Sequence, residues 1–350
     1  MNELAHTYRH AIKYLFIPYL ILLFLLVYPI EYYVQSPGGL SEVEDLIEVD
    51  YNLDKNIEGS ISTTFVMGIP RPTIFMFLAG YFNRYADLMV LPTNYQTYSN
   101  EEISQISYQD KYISVNAAII VAYEAISETN PEIIIDYQAK TMVFGKANYL
   151  EHYADIAFGD EFVSFKGDND VIVTEVSAIG GVATTSGPYE FTFKNTEGTE
   201  YTLSISKNAE SGVFGITFKN YYLVDSETTF PHYRLTDSNI GGPSGGLLQT
   251  LSIYNMLSEE DITHGLKVAG TGTINYDGSI GYIGGVKQKI ITAYENNVDV
   301  FFIPYLGDVS YDNYLEAVNV CEAYGIEHES WLIPVASFQD ALDYLEGLGD

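Results

Sequence analysis

From Tyr14 to Ile30 the chain carries no charged residue, and Leu, Ile, Phe and Val dominate. Continued through Tyr32-Tyr33-Val34, the run approaches the ~20 apolar residues that span a bilayer. Tyrosines stand at both ends (Tyr14 and Tyr19; Tyr28, Tyr32 and Tyr33), as aromatic belts do at the membrane–water interface. Arg9 and Lys13 precede the run, whereas Glu31, Glu42, Glu44 and Asp45 follow it. The excess of positive charge on the N-terminal side predicts residues 1–13 in the cytoplasm, 14–34 as a single-pass anchor in the cell membrane, and the rest of the chain outside. A cleaved signal peptide is one rival, but Gln35-Ser36-Pro37 offers no good cleavage site. A buried core helix is the other, and Pro18 is a mild mark in its favour.

With 350 residues the chain has room for two or three domains, and 47% apolar with 14% aromatic residues excludes a disordered chain. A net charge of −31 leaves no basic patch to neutralise phosphates, which excludes nucleic acid as a partner. The single cysteine, Cys321, excludes an internal disulfide framework. The histidines at 6, 10, 152, 232, 264 and 328 show no metal-ligand spacing, so neither a metal nor another cofactor is expected. No phosphate-binding Gly-x-x-x-x-Gly-Lys-Ser/Thr loop is present, so no ATP-driven module is expected.

Beyond the apolar run, Ser36-Pro-Gly-Gly39 reads as a break, a stalk between membrane and folded part. Residues 46–131 contain strand patterns at Leu46–Val49 and Ser60–Met67, an aromatic helix at Phe75–Tyr85 lying on a core or near the membrane, a polar loop at Pro92–Asp110 and a helix at Val115–Ile126. Residues 132–207 change to short β-like runs: Ile133–Tyr137, Thr141–Phe144, Glu161–Phe165, Val171–Val176, Tyr189–Phe193 and Glu200–Ile205, with a short helical pattern at Tyr149–Ala157. Residues 208–350 are α/β in character. Strands are predicted at Gly215–Phe218, Lys267–Ile274, Val300–Ile303 and Trp331–Val335. Helices are predicted at Gly246–Met256, Lys287–Asn296, Tyr311–Tyr324 and Phe338–Leu345, the last capped by Ser337 with Asp340 three residues on.

Two glycine-flanked stretches carry the chemistry. Gly241-Gly-Pro-Ser-Gly-Gly246 sets Ser244 on a turn before a helix, whose unpaired N–H groups can stabilise an oxyanion. Main-chain donors around Gly242 and Ser244 are the expected oxyanion site. Taken alone, Ser244 reads equally as a helix N-cap. Gly284-Gly-Val-Lys-Gln-Lys289 places Lys287 at the start of a helix, where the dipole disfavours a cation. Desolvation there would lower the lysine's pKa and free a neutral amine as base. Its bland alternative is a solvated surface lysine. Lys289, two residues on, points elsewhere on the helix and is expected at the surface.

Together the stretches resemble the Lon-type serine peptidases, which use a Ser–Lys dyad. The resemblance is carried by Gly242-Pro-Ser-Gly-Gly246, Ala269-Gly-Thr-Gly-Thr-Ile274, Asp277-Gly278, Ile283-Gly-Gly-Val-Lys-Gln-Lys289, Ala293 and Val300-Phe-Phe-Ile-Pro304. The 43 residues from Ser244 to Lys287 match the separation in that family. The resemblance implies Ser244 as nucleophile, Lys287 as base and Thr271 as the residue that helps to place the lysine. Ser-Gly-Gly stands where the family more often has Ser-Ala-Gly. The apolar run, Tyr33-Val34, Gly59–Thr64 and Ala117–Ala125 look like the membrane-anchored branch in which a PDZ module is inserted into the peptidase. Ile156–Gly167 matches a PDZ turn and strand, and Val143-Phe-Gly-Lys146 is the nearest approach to a carboxylate-binding loop.

The expected architecture is α+β/α/β: a Lon-type peptidase domain with an inserted PDZ-like β-rich module, after one transmembrane helix. The expected function is ATP-independent, extracytoplasmic serine endopeptidase activity on peptides or unfolded, flexible protein segments. Its partners would be the substrate, the bilayer through residues 14–34, and in a homo-oligomer a second copy. The alternative is a PDZ-like peptide-binding adaptor on a non-catalytic peptidase scaffold.

Overall fold

The computed structural model describes residues 2–349 apart from 52, 54, 237, 239, 309 and 310, with side chains from residue 14 onward except at 94. Arg9 and Lys13, on which the predicted orientation rests, therefore lie outside the described side chains. The elements begin with α1 (Asn2–Val27), β1 (Tyr32–Glu42), β2 (Ile47–Val49), β3 (Ser60–Pro70), α2 (Ile74–Phe82), β4 (Asp87–Val90), α3 (Thr93–Gln96) and α4 (Asn100–Ser127). A β-rich stretch follows: β5 (Tyr137–Lys146), β6 (Glu161–Lys166), β7 (Ile172–Val173), α5 (Ile179–Val182), β8 (Tyr189–Lys194), β9 (Glu200–Ile205) and β10 (Ile216–Val224). The chain ends with β11 (Tyr233–Leu235), α6 (Gly246–Leu257), β12 (Lys267–Gly270), β13 (Thr273–Ile274), β14 (Ile280–Gly281), α7 (Val286–Glu295), β15 (Val300–Pro304), α8 (Asn313–Tyr324), β16 (Leu332–Val335) and α9 (Phe338–Glu346).

The main sheet has the order β16-β15-β12-β3-β1-β4. Its pairs from β16 to β3 are parallel, and β1 runs antiparallel to both β3 and β4. Helices cover both faces, as a parallel sheet requires. On β12 and β15, Val268, Val300 and Phe302 turn toward α4, α6 and α9, while Ala269, Phe301 and Ile303 turn toward α7 and α8. This alternation is why Val300–Ile303 is unbrokenly apolar in sequence. The second sheet, β10-β5-β6-β8-β9 with β7 on β6, closes over its own core of Phe162, Phe165, Phe191 and Phe193.

The structure departs from the sequence reading at several places, among them Ile133–Tyr137, predicted as a strand, where Ile134 makes only an isolated bridge to Phe230. Ser36–Gly39 is no stalk but the middle of β1, with a register shift between Pro37 and Gly39. Its glycines serve packing: a Cβ on Gly38 would lie 2.5 Å from the Phe65 ring across the pair. The apolar run accordingly stops being helical at Val27, and Tyr32–Val34 are strand rather than anchor. Residues 100–110 are helix rather than loop, because Ser99 and Glu102 form a reciprocal capping box that starts α4 early. Residues 149–157 form turns, not a helix. Finally, β10 pairs with β5 along its whole length, so the inserted sheet runs to Val224 rather than ending at 207. Val143–Lys146 forms the last four residues of β5, paired with β10, and is strand rather than loop.

Residues 14–24 of α1 are all solvent-exposed. Among the described residues no helix is long and apolar enough to cross a membrane.

Candidate active site

The loop that carries Ser244 is held from two sides. On one, Gly242 N–H donates to the Ser107 carbonyl (2.8 Å) and Ser114 Oγ donates to the Pro243 carbonyl (3.0 Å), both acceptor and donor coming from α4. On the other, the Ser244 carbonyl accepts from Gly272 N–H (2.8 Å) and from Thr271 Oγ1 (3.0 Å), beyond the end of β12. Gly242 sits at φ +86°, a conformation that excludes most side chains. The N-cap of α6 is Gly245, which has no side-chain cap bond, so Ser244 is not spent as a cap. The N–H groups of Ser244 and Gly245 donate to no acceptor among the described residues. Gly242, half of the expected oxyanion site, has its N–H already committed to Ser107. Ser244 keeps its own.

The lysine is where the sequence reading fails. Lys287 does not reach Ser244: its Nζ lies 2.7 Å from Asp87 Oδ1 and 3.3 Å from the Ala86 carbonyl, at the turn between α2 and β4. Lys289, expected at the surface, is 2% exposed and places Nζ 2.7 Å from Ser244 Oγ and 2.7 Å from Thr271 Oγ1. Burial pushes its pKa down from the ordinary lysine range to about 7. Among the described residues no carboxylate pairs with it to oppose that fall.

The pair in contact is 45 residues apart rather than 43. A spacing count fixes a residue only if the intervening turns keep their length, and here a two-residue difference moves the choice to the wrong lysine. Hydrophobic pattern could not arbitrate. At about 100° per residue, both lysines flank the Val286–Ile290 stripe of α7 at comparable angles. Gly285 at φ +70° sets where α7 begins, and a Cβ there would meet Val66 at 2.7 Å. The start of the helix is thus fixed by contact with β3. Thr271, 0% exposed, lies against Ser244 and Lys289 rather than against Lys287, the lysine it was expected to place. Ser107 and Ser114 were not anticipated, since nothing local distinguishes them from other helical serines.

A hydroxyl within hydrogen-bond reach of a buried amine whose pKa is near neutrality is the equipment of a nucleophile and its base. Residues 217–318, the stretch that holds Ser244, Thr271 and Lys289, match the Lon protease (S16) C-terminal proteolytic domain, and this part of the chain is of mixed α/β architecture. Among similar proteins, the Lon protease of Mesomycoplasma hyopneumoniae is 29% identical over 134 residues, 38% of this chain and 14% of that protein. The Lon protease of Ureaplasma parvum is 31% identical over 141 residues, 40% of this chain and 16% of that protein. Lon protease 2 of Herpetosiphon aurantiacus is 26% identical over 178 residues, half of this chain and 21% of that protein. The chain thus spans no more than about a fifth of the length of these curated relatives.

Proposed function

We propose that this protein is an ATP-independent serine endopeptidase in which Ser244 and Lys289 form the catalytic dyad. The observation that carries the reading is the 2.7 Å approach of Lys289 Nζ to Ser244 Oγ at a fully buried position. Thr271 directs its hydroxyl hydrogen to the Ser244 carbonyl, so its oxygen is left to accept from Nζ–H. That arrangement turns the amine's lone pair toward the serine hydroxyl. Ser244 Oγ attacks the scissile carbonyl as Nζ takes its proton, and the Ser244 and Gly245 N–H groups stabilise the developing oxyanion. Nζ–H then protonates the leaving amine, and a water deprotonated by the same amine releases the acyl group.

Anchorage through α1, and with it a catalytic domain outside the cell, is supported by the continuous exposed apolar surface of residues 14–24. A PDZ-like role for the second sheet is supported by a groove of about 730 Å³ along the start of β10, the sheet's edge strand, walled by Val176, Ile179 and Gly212–Gly215. An extended peptide could add to that edge as a further strand. Without an unfolding motor, the substrates would be peptides or flexible segments.

Digestion of an unstructured protein such as casein by the whole chain tests the dyad. Wild type is expected to cleave, and Ser244→Ala and Lys289→Met are expected not to while remaining folded. Equal cleavage by all three would overturn the assignment.

A further inference from the structure

The apolar surface that α1 presents does not end with α1. The residues that follow α1 are tied to the start of α2: Ile74 N–H donates to the Tyr28 carbonyl (3.2 Å) and Ile30 N–H to the Pro72 carbonyl (3.0 Å). Helix α2 rests on β1 and β4 through Gly80, where a Cβ would sit 3.0 Å from both Val34 and Leu88, and through Phe77, whose ring meets that of Tyr32 edge-on at 4.8 Å. Its other face is open. Phe75, Met76, Leu78, Tyr81 and Phe82 are exposed, Phe82 at 82%, and no charged residue occurs from 72 to 83. Val90 on the adjoining edge strand β4 is 63% exposed. A free-standing apolar surface of this extent marks an interaction site rather than ordinary exposure.

We infer that this face of α2, with the rim of β4, lies in the interfacial layer of a lipid bilayer and holds the catalytic lysine's helix at the membrane surface. A second protein would cover one stripe of a helix, whereas residues 14–24 expose apolar side chains on every side, the condition of a helix surrounded by lipid. The α2 face continues that surface with aromatic residues, which favour the boundary between hydrocarbon and water. The clamp to the active site is made by the very lysine that fails as a base. Lys287 holds Asp87 Oδ1 and the Ala86 carbonyl, and Gln288 Nε2 donates to Asp87 Oδ2 (2.8 Å) and the Tyr85 carbonyl (3.1 Å). These four contacts fasten α7, one and two residues before Lys289, to the turn that leaves α2. The substrates suited to such a site are chain segments close to the membrane: tails and loops of membrane-held proteins rather than freely diffusing ones.

The inference builds on the anchor reading, and one experiment separates the two. The full chain is reconstituted into phosphatidylcholine vesicles with a polarity-sensitive fluorophore on one introduced cysteine, Leu22→Cys, Leu78→Cys, Phe82→Cys or Ile172→Cys; Cys321 is fully buried and stays unlabelled. Emission from positions 78 and 82 is expected to shift to the blue and to be quenched by lipids spin-labelled near the headgroup. Position 22 is expected to be quenched by lipids labelled deep in the chain, and position 172, exposed on the second sheet, by neither. If 78 and 82 behave like 172 while 22 is quenched, the interfacial face is wrong and the anchor stands. If 78 and 82 are quenched but 22 is not, the interfacial face stands without the anchor. If none is quenched, both fall.

Discussion

The two sides of α7 carry the same side chain to opposite ends. On one, Lys287 meets a carboxylate and stays within reach of water, its Nζ 2.7 Å from Asp87 with side-chain exposures of 20% and 41%. On the other, Lys289 meets two hydroxyls and no carboxylate, at full burial. An ammonium in the first setting is stabilised by its partner, and one in the second is not. The comparison teaches that a lysine's proton affinity falls through what its neighbours withhold, not through its place near a helix start.

The sharpest way to break the comparison is activity. Lys289→Met and Ser244→Ala are each expected to lower kcat/KM by roughly 10³-fold or more, whereas Lys287→Met is expected to retain activity within about tenfold. The reverse ranking, measured on a fluorogenic peptide, would return the dyad to Lys287.

Stability should separate the lysines next. A folded pKa of about 7 lies below the unfolded value of 10.5, so the unfolded chain binds the extra proton between those values and stability rises with pH across that window. Below it, burying Lys289 costs a few kcal/mol, since every tenfold loss of proton affinity on folding is worth ~1.4 kcal/mol. Lys289→Met should therefore be more stable than wild type at pH 7, by roughly 2–4 kcal/mol, with the gain vanishing above about pH 10.5. Lys287→Met should instead lose up to ~1 kcal/mol, the range of a partly exposed ion pair. Denaturant titrations at pH 7 and pH 10.5 read both signs.

The same depressed pKa sets the pH profile. If neutral Lys289 is the base, kcat/KM should climb tenfold per pH unit below pH 7 and level off above it, with a midpoint of about 7. A midpoint near 10 would place the base elsewhere. A loss smaller than that of either dyad substitution is expected of Thr271→Val, which keeps the shape but removes the acceptor that aims Nζ. A loss of roughly 10- to 100-fold in kcat with KM little changed would mark a positioning role. An equal loss of both stability and activity would mark a structural one.

Much of the catalytic region was legible because local rules and global packing agree there. Fully apolar Val300–Ile303 and the Ser337–Asp340 cap each read correctly in isolation. Elsewhere they conflict. Ser36-Pro-Gly-Gly39 has the composition of a turn, yet sits in β1 because Phe65 leaves no room for a side chain opposite Gly38. The polar stretch before Ala117 has little helical patterning of its own. The Ser99–Glu102 box starts α4 there, and from α4 Ser107 and Ser114 hydrogen-bond to the loop that carries Ser244.

The sequence singled out a serine on a glycine-bounded turn and the start of the helix beyond it, through the resemblance that joins the two stretches, and the fold brings Ser244 into contact with a lysine of that helix. The sequence could not settle which lysine, since both flank one apolar stripe and only contacts remote in sequence distinguish their surroundings. Asp87, 200 residues before Lys287, makes one face of α7 a surface ion pair; Ser244 and Thr271 make the other a dry amine. Burial and partner charge are properties of packed space, and they decide the protonation state on which the chemistry depends.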